Sequence, residues 1–197
     1  MLEFKNFINP HRASNTYIVY KNQTAVIIDV GNMKTEKLVD FLLNNNLKLK
    51  AVFLTHEHAD HCCGIDILAK YLQFDLYCSL ECYINAQNPK LNYSKYLEEI
   101  ENFSMIKKPK KLLQNSSLQI DCLNINSLQV AGHSPGCMAY QIDDLIFTGD
   151  TLMESKTPLN LPNSSKNDYQ VSLEKLKKII TAKSIICPGH GEVFTLN

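Results

Sequence analysis

Residues 51–61 of this 197-residue chain read Ala-Val-Phe-Leu-Thr-His-Glu-His-Ala-Asp-His, an apolar run that passes without a spacer into three imidazoles and a carboxylate. A short apolar run with no polar alternation is the pattern of a strand buried on both faces. Such a strand delivers the chain directly into His56, so the polar cluster is expected at a strand end within a covered sheet. His56, His58, Asp60 and His61 supply three neutral nitrogens and one carboxylate oxygen within six residues. That is the mixed donor set zinc and other borderline first-row divalent metals prefer.

The flanking pattern supplies neighbours for this strand. Residues 16–20 and 25–29 are β-rich and suit a hairpin closed by a four-residue loop. Leu38, Phe41 and Leu42 recur at helical spacing within 34–46, and Ile65, Leu68, Ala69 and Leu72 give a helix over 64–72 that covers the sheet. Residues 74–78 return as a strand. The Asn- and Lys-rich stretch 79–111 has only a weak helical pattern over 93–106. Strands are expected over 117–122 and 125–131, then a hairpin of 138–142 with 145–148 turned at Asp143-Asp144. Residues 154–167 have no period and read as a surface loop. Asp168 is expected to cap a helix burying Val171, Leu173, Leu176, Ile179 and Ile180, before a last strand over 184–187. No repeat of solenoid period occurs, and length alone suggests one domain over 1–197.

Composition narrows the partners. Twenty basic and twenty acidic residues leave no net field to gather nucleic acid or an anionic membrane, so a small-molecule substrate is expected. The first ten residues lack the apolar core of a signal peptide and no run reaches membrane-spanning length, so a cytoplasmic protein is expected. Seven cysteines, an odd number without a secretion signal, read as reduced thiols. Cys78 and Cys82, spaced C-x3-C, are read as packing residues rather than a metal knuckle, and Cys62 and Cys63 as small filler.

Five of the six histidines fall in three motifs: His56, His58 and His61 in T-H-E-H-A-D-H, His133 in A-G-H-S-P-G, and His190 in P-G-H-G. His56 and His58 can chelate one ion while Asp60 and His61 turn toward another. His133, Asp150 and His190 each follow an expected strand and stand beside glycines (Gly132, Gly149, Gly189 and Gly191), which permit tight turns. Taken singly, each would be an ordinary capping or turn residue; in this order they point to a metal centre.

Together, His56-x-His58-x-Asp60-His61, Gly132-His133-Ser-Pro-Gly136, Phe147-Thr-Gly-Asp150 and Pro188-Gly-His190-Gly191 resemble the metallo-β-lactamase superfamily, specifically its glyoxalase II-like branch. The resemblance implies an α/β fold of α+β type, a four-layer αβ/βα sandwich of two mixed β-sheets with outer helices. It implies one metal on His56, His58 and His133, a second on Asp60, His61 and His190, and Asp150 bridging both. Two Zn2+ ions are the expected cofactors, with iron, mixed iron and zinc, or manganese as alternatives. Asp60 would also orient the attacking water, its catalytic role. Asp29, in Ile-Ile-Asp-Val-Gly, is expected to steady ligand geometry by hydrogen bonding. Glu57 is expected to face solvent or support the ligands, and His11 to be an ordinary surface histidine.

Two metals about 3.5 to 4 Å apart can lower the pKa of a shared water toward about 7 and present hydroxide to a carbonyl. The resemblance therefore implies a metal-dependent hydrolase that cleaves a thioester or related carboxylic ester. Glutathione-using relatives carry a C-terminal helical region, whereas this sequence ends at Asn197, and Glu154-Ser-Lys-Thr-Pro-Leu-Asn stands where a Gly-Cys-Gly-Arg-like segment is usual. Persulfide dioxygenases are similar too, with a cysteine after the third motif, here Cys137, and one iron that His56, His133 and Asp150 could hold. A metal-stabilised binding domain without catalysis is a further alternative, as is a nuclease, although the charge balance offers it nothing. Tyr93, Tyr96 and Lys156 are candidates to reach substrate.

Overall fold

In β2 (Asn15–Lys21) and β3 (Thr24–Ile28) nearly every side chain is buried, and the two-residue period of a strand divides them between two cores. Ile18, Ala25 and Ile27 face one way, while Tyr17, Val19, Val26 and Ile28 face the other. The computed structural model, which describes residues 1–31 and 35–196, repeats this division in β4 (Lys48–Phe53) and β5 (Asp75–Cys78). There Val52, Leu76 and Cys78 join the first core, and Ala51, Phe53 and Tyr77 the second.

These strands belong to a six-stranded mixed sheet in the order β1-β2-β3-β4-β5-β6, with β1 at Glu3–Ile8 and β6 at Lys111–Leu112. β1, β2 and β3 pair antiparallel, and β3 through β6 pair parallel. The first core lies between this sheet and α1 (Thr35–Asn44), α3 (Ile65–Tyr71) and α4 (Leu80–Ala86), through Leu38, Leu42, Ile65, Leu68, Cys82 and Ala86.

A five-stranded mixed sheet packs on the opposite face in the order β11-β10-β9-β8-β7. Its strands are β7 (Ser116–Ile120), β8 (Leu123–Gln129), β9 (Met138–Ile142), β10 (Leu145–Gly149) and β11 (Ile185–Pro188). Leu123, Ile125, Met138, Tyr140 and Phe147 meet the second core from this side. Tyr140, fully buried, satisfies its hydroxyl by donating to the Leu54 carbonyl at 2.7 Å. On the outer face, Leu176 of α5 (Lys166–Ile179) packs against Val130, Cys137 and Ala139. The layers thus run helix, sheet, sheet, helix, as the resemblance implied.

Several local expectations change. The hairpin of β2 and β3 turns on two residues, not four, because Lys21 and Thr24 pair in the ladder and Asn22 takes a left-handed φ of 57°. β1 escapes the sequence pattern because it is an edge strand whose side chains are half exposed and half only partly buried. β4 ends at Phe53, releasing Leu54 and Thr55 toward the site. The helix expected from residue 34 is seen from Thr35, residue 34 lying outside the described residues. Ser165, not Asp168, caps α5: its hydroxyl accepts from the Asp168 N–H, leaving the Asp168 carboxylate in the first turn. Val171 stays exposed; Ser172 and Leu176 are the buried residues of that helix.

In 79–111, Ser79 caps the unexpected α4, and the weak pattern of 93–106 yields only a 3-10 turn at Ser94–Tyr96. Side chains hold the remainder: Asn92 donates to the carbonyls of Ala86 and Phe103, and Asp66 accepts from the N–H groups of Ile106 and Lys107. No helix among the described residues is long and apolar enough to cross a membrane.

Candidate metal centre

β3, β4, β8, β10 and β11 all send their carboxyl ends to one edge of the sandwich, which carries Asp29, His56, His133, Asp150 and His190 in turn. At the end of β4, Leu54 N donates to Tyr77 O at 3.0 Å and Thr55 N to Asp29 Oδ1 at 2.7 Å. The chain stays extended through His58, whose φ and ψ are −62° and 140°, and then enters the short helix α2 (Ala59–Cys62). This change of conformation separates His56 and His58 from Asp60 and His61. Ligand atoms of His56, His58 and His133 lie within 4.8 Å of one another, and so do those of Asp60, His61 and His190.

Asp150 stands between the two groups. Its Oδ2 lies 3.4 Å from His133 Nε2 and 3.5 Å from His190 Nε2, and its Oδ1 lies 3.5 Å from His61 Nε2. Within the groups, His133 Nε2 faces His58 Nδ1 at 3.0 Å, His61 Nε2 faces His190 Nε2 at 3.2 Å, and Asp60 Oδ2 is 3.3 Å from His190 Nε2. Ligands bound tetrahedrally at zinc distances stand roughly 3.3–3.4 Å apart, so the spacing fits cation coordination. All seven expected residues are brought together, six of them at most 8% exposed and His190 half-buried.

Proton bookkeeping fixes which nitrogens face the cluster. Thr55 Oγ1 donates its only proton to Asp29 Oδ2 at 2.7 Å, so at 3.0 Å it must accept from His56 Nδ1. His56 Nε2 is left as a bare lone pair, buried and without a hydrogen-bond partner. His61 Nδ1 donates to Asp29 Oδ2 at 3.0 Å, and His133 Nδ1 to the Pro158 carbonyl at 2.9 Å, which leaves both Nε2 atoms bare in the neutral rings. Asp150 Oδ1 is likewise buried without a hydrogen bond. Acceptors packed against acceptors at such distances are costly unless a cation lies among them. The residues therefore fit a metal by donor type, spacing and orphaned lone pairs.

Protonation divides the cluster. Burial, followed by the neighbouring imidazoles, pushes His56 and His58 well below the usual histidine range. Burial acts the same way on His61, but the carboxylates of Asp60, Asp150 and Asp29 outweigh it and raise its pKa to about 10. Asp60 is held below the usual carboxylate range: His61 and His190 overcome the effect of its burial. Metal and proton thus compete for the space beside His61.

Asp29, in a left-handed backbone with φ 57°, orients His61 directly and His56 through Thr55. It also forms a third compact group with His56 and His61, but its oxygens are already engaged by Thr55 and His61 Nδ1. Glu57 is buried, not solvent-facing: it accepts from Asn85 Nδ2 and Ser134 Oγ, each at 2.9 Å, tying the first motif to α4 and to the His133 loop. Burial raises its pKa despite those bonds. Gly149, with φ 50°, admits no side chain, because a Cβ would come within 2.7 Å of Thr55 Oγ1.

The segment 154–167 is more than surface. Besides the Pro158 carbonyl, Ser164 Oγ donates to His133 O at 2.9 Å and Ser165 N to Gly132 O at 2.8 Å, so it buttresses the His133 loop. Cys137 is buried in the outer layer beside Ser134, with its thiol pushed up to about 12 by burial. It does not line the cleft of about 550 Å³ that opens onto His58, Asp60, His133, Asp150 and His190. Tyr93, Tyr96 and Lys156 do line that cleft, with Leu97 and Met153. A second cleft of about 480 Å³, around the exposed His11, Asp66 and Phe103, contains none of the seven.

Sequence reasoning missed Thr55, Asn85, Ser134 and Arg12, which also lines the metal-side cleft. Thr55 and Ser134 had a local signal, standing directly beside His56 and His133 in the motifs.

A hydroxyacylglutathione hydrolase of Shewanella halifaxensis is 27% identical over 161 residues, 82% of this chain and 55% of that protein, so the chain spans about half the relative's length. An uncharacterised protein of Mycobacterium leprae is 26% identical over 182 residues, covering 87% of this chain and 83% of its own. Among solved structures, the BLEG-1 B3 metallo-beta-lactamase superposes with a TM-score of 0.90 at 27% identity, covering 98% of this chain and 94% of that one. Since the family model also matches residues 9–190, across every donor described above, the chain belongs to the metallo-beta-lactamase superfamily.

Proposed function

We propose that this chain is a two-metal hydrolase of acyl thioesters. His56, His58 and His133 would hold one zinc ion and Asp60, His61 and His190 a second, with the Asp150 carboxylate between the two donor groups. The observation that carries this reading is the position of Asp150, whose oxygens lie 3.4 Å from His133 Nε2 and 3.5 Å from His61 Nε2. One carboxylate reaching two separate imidazole groups suits a pair of ions rather than one.

When bound, such a pair lowers the pKa of a shared water toward about 7 and polarises a carbonyl. The chain's own groups supply the rest. Asp29, Thr55 and the Pro158 carbonyl set the imidazole orientations. Asp60, which lines the cleft wall, would orient the attacking water. Water oxygen bonds to the acyl carbon, the carbon–sulfur bond breaks, and the proton leaves with the thiol, giving a carboxylic acid and a thiol. The thioester class is supported by the hydroxyacylglutathione hydrolase relative.

Elemental analysis of protein purified without added metal, beside a panel of thioesters, lactones and persulfides, tests the reading. About two equivalents of zinc with thioester cleavage are expected. Copurified iron with oxygen consumption on persulfide would replace hydrolysis by dioxygenation. Less than about one equivalent of any transition metal, with none restorable, would remove its basis.

A further inference from the structure

Of the twenty basic residues in this chain nineteen are lysines, and the single arginine, Arg12, lines the cleft that holds the metal donors. Arg12 belongs to the turn joining β1 to β2, and it and Ala13 both adopt left-handed backbone, with φ of 64° and 52°. Non-glycine residues rarely take such φ values, and two in succession persist only where the surroundings enforce them.

The enforcing contacts are specific. Across the base of the turn, Asn9 N and Nδ2 donate to the Ser14 carbonyl at 2.9 and 3.0 Å. Ser14 Oγ donates to the carbonyl of Asp60 at 2.6 Å, and Ser14 forms an isolated bridge with His190. Asn15 N donates to Gly189 O at 2.7 Å and its side chain to Gly191 O at 2.9 Å. The turn that presents Arg12 is therefore fastened to both loops of the carboxylate-bearing half of the centre.

Among the described residues, the ion pairs of Lys50, Lys110 and Lys177 are made with carboxylates elsewhere on the surface, and no carboxylate pairs with Arg12. A planar fork of donors held on a strained turn at the lip of a reaction cleft suits one ligand chemistry, the forked oxyanion. We propose that Arg12 is a specificity-determining residue that receives an oxyanion, carboxylate or phosphate, carried on the substrate away from its scissile bond. This rests on the hydrolase reading above and narrows its substrates to anionic thioesters, with Tyr93 and Tyr96 walling the same cleft.

Four thioesters test it: S-hexanoyl-N-acetylcysteamine (neutral), S-adipoyl-N-acetylcysteamine (carboxylate on the acyl arm), S-hexanoyl-3-mercaptopropionate (carboxylate on the thiol arm) and S-hexanoyl-4′-phosphopantetheine (phosphate). For the anionic arm that binds, Arg12→Ala should cost about 10- to 100-fold in kcat/KM, carried by KM, the range expected for a lost charged hydrogen bond. Turnover of the neutral thioester and metal content should stay within about twofold, and Arg12→Lys should recover part of the loss by restoring charge without the fork. Equal losses on neutral and anionic substrates, or none on either, would overturn the proposal. Calorimetric titration with adipate and with inorganic phosphate separates this outcome from failure of the hydrolase reading. Oxyanion binding lost in Arg12→Ala upholds Arg12 even where wild-type protein cleaves no thioester.

Discussion

The two halves of the centre are built from different materials. His56, His58 and His133 form an all-nitrogen group that is at most 6% exposed, whereas Asp60, His61 and His190 include a carboxylate and open to solvent at His190. Burial and neighbouring imidazoles strip protons from His56 and His58, while carboxylates draw a proton onto His61. A cation entering the first half meets bare nitrogens. One entering the second must displace a proton. The lesson is that one continuous motif, residues 56–61, supplies two environments of opposite proton affinity because α2 turns its second part away from its first.

The largest effect should come from Asp150→Ala, which removes the carboxylate common to both halves. Turnover should fall more than about 100-fold, beyond the loss typical of an outer-shell partner, with metal lost in parallel on elemental analysis. His11→Ala, in the other cleft, should change neither. An active Asp150→Ala protein would end the idea of a shared bridge.

Acid should separate the halves. With the metal-free His61 pKa near 10, that half binds a proton throughout the neutral range and releases it on taking up metal. Its affinity should therefore drop about tenfold for each unit the pH falls below neutrality, while the half carrying His56 and His58 changes less. Competition with a chelator at pH 6 and pH 8 reads this difference, and parallel loss of both equivalents would erase the contrast.

Asp29→Asn should act next, by about 10- to 100-fold in metal affinity, since it disturbs the acceptor that orients His61 directly and His56 through Thr55. Metal titration would show an effect on both halves. Smallest is Tyr17→Phe. Its hydroxyl donates to Pro188 O at 2.8 Å ahead of His190, but Asn15 Nδ2 donates to the same carbonyl at 3.0 Å, so the acceptor keeps a partner. A loss of about 1 kcal/mol is expected, a melting shift of a few degrees, with any change in metal binding confined to the second half. Weakening of the histidine half instead would show that the His190 loop supports both.

What could be read before folding follows the reach of each signal. The run 51–55 was legible because burial on both faces leaves an unbroken apolar pattern, and α3 because Ile65 and Leu68 share a helical stripe. Residues 79–111 were opaque because non-periodic side-chain bonds shape them, those of Asn92 within the segment and those of Asp66 from 40 residues away. The loop 154–167 looked like surface for the same reason: its support of His133 is made by a backbone carbonyl and two serine-borne donors that leave no periodic trace.

Residue types and short spacings alone determined the donor inventory, the strand ends that bear it and the expectation of a metal. The resemblance implied that residues 61 and 190 share one group with Asp150 between both; only the packed sheets decided the distances among them and which ring nitrogens of His56, His61 and His133 are hydrogen-bonded away from the cluster. Local pattern sets φ, ψ and face. The packing of the sheet that carries β4 against the sheet that carries β11 brings residues 61 and 190 to 3.2 Å, and the hydrogen bonds made by the other ring nitrogens orient the imidazoles there.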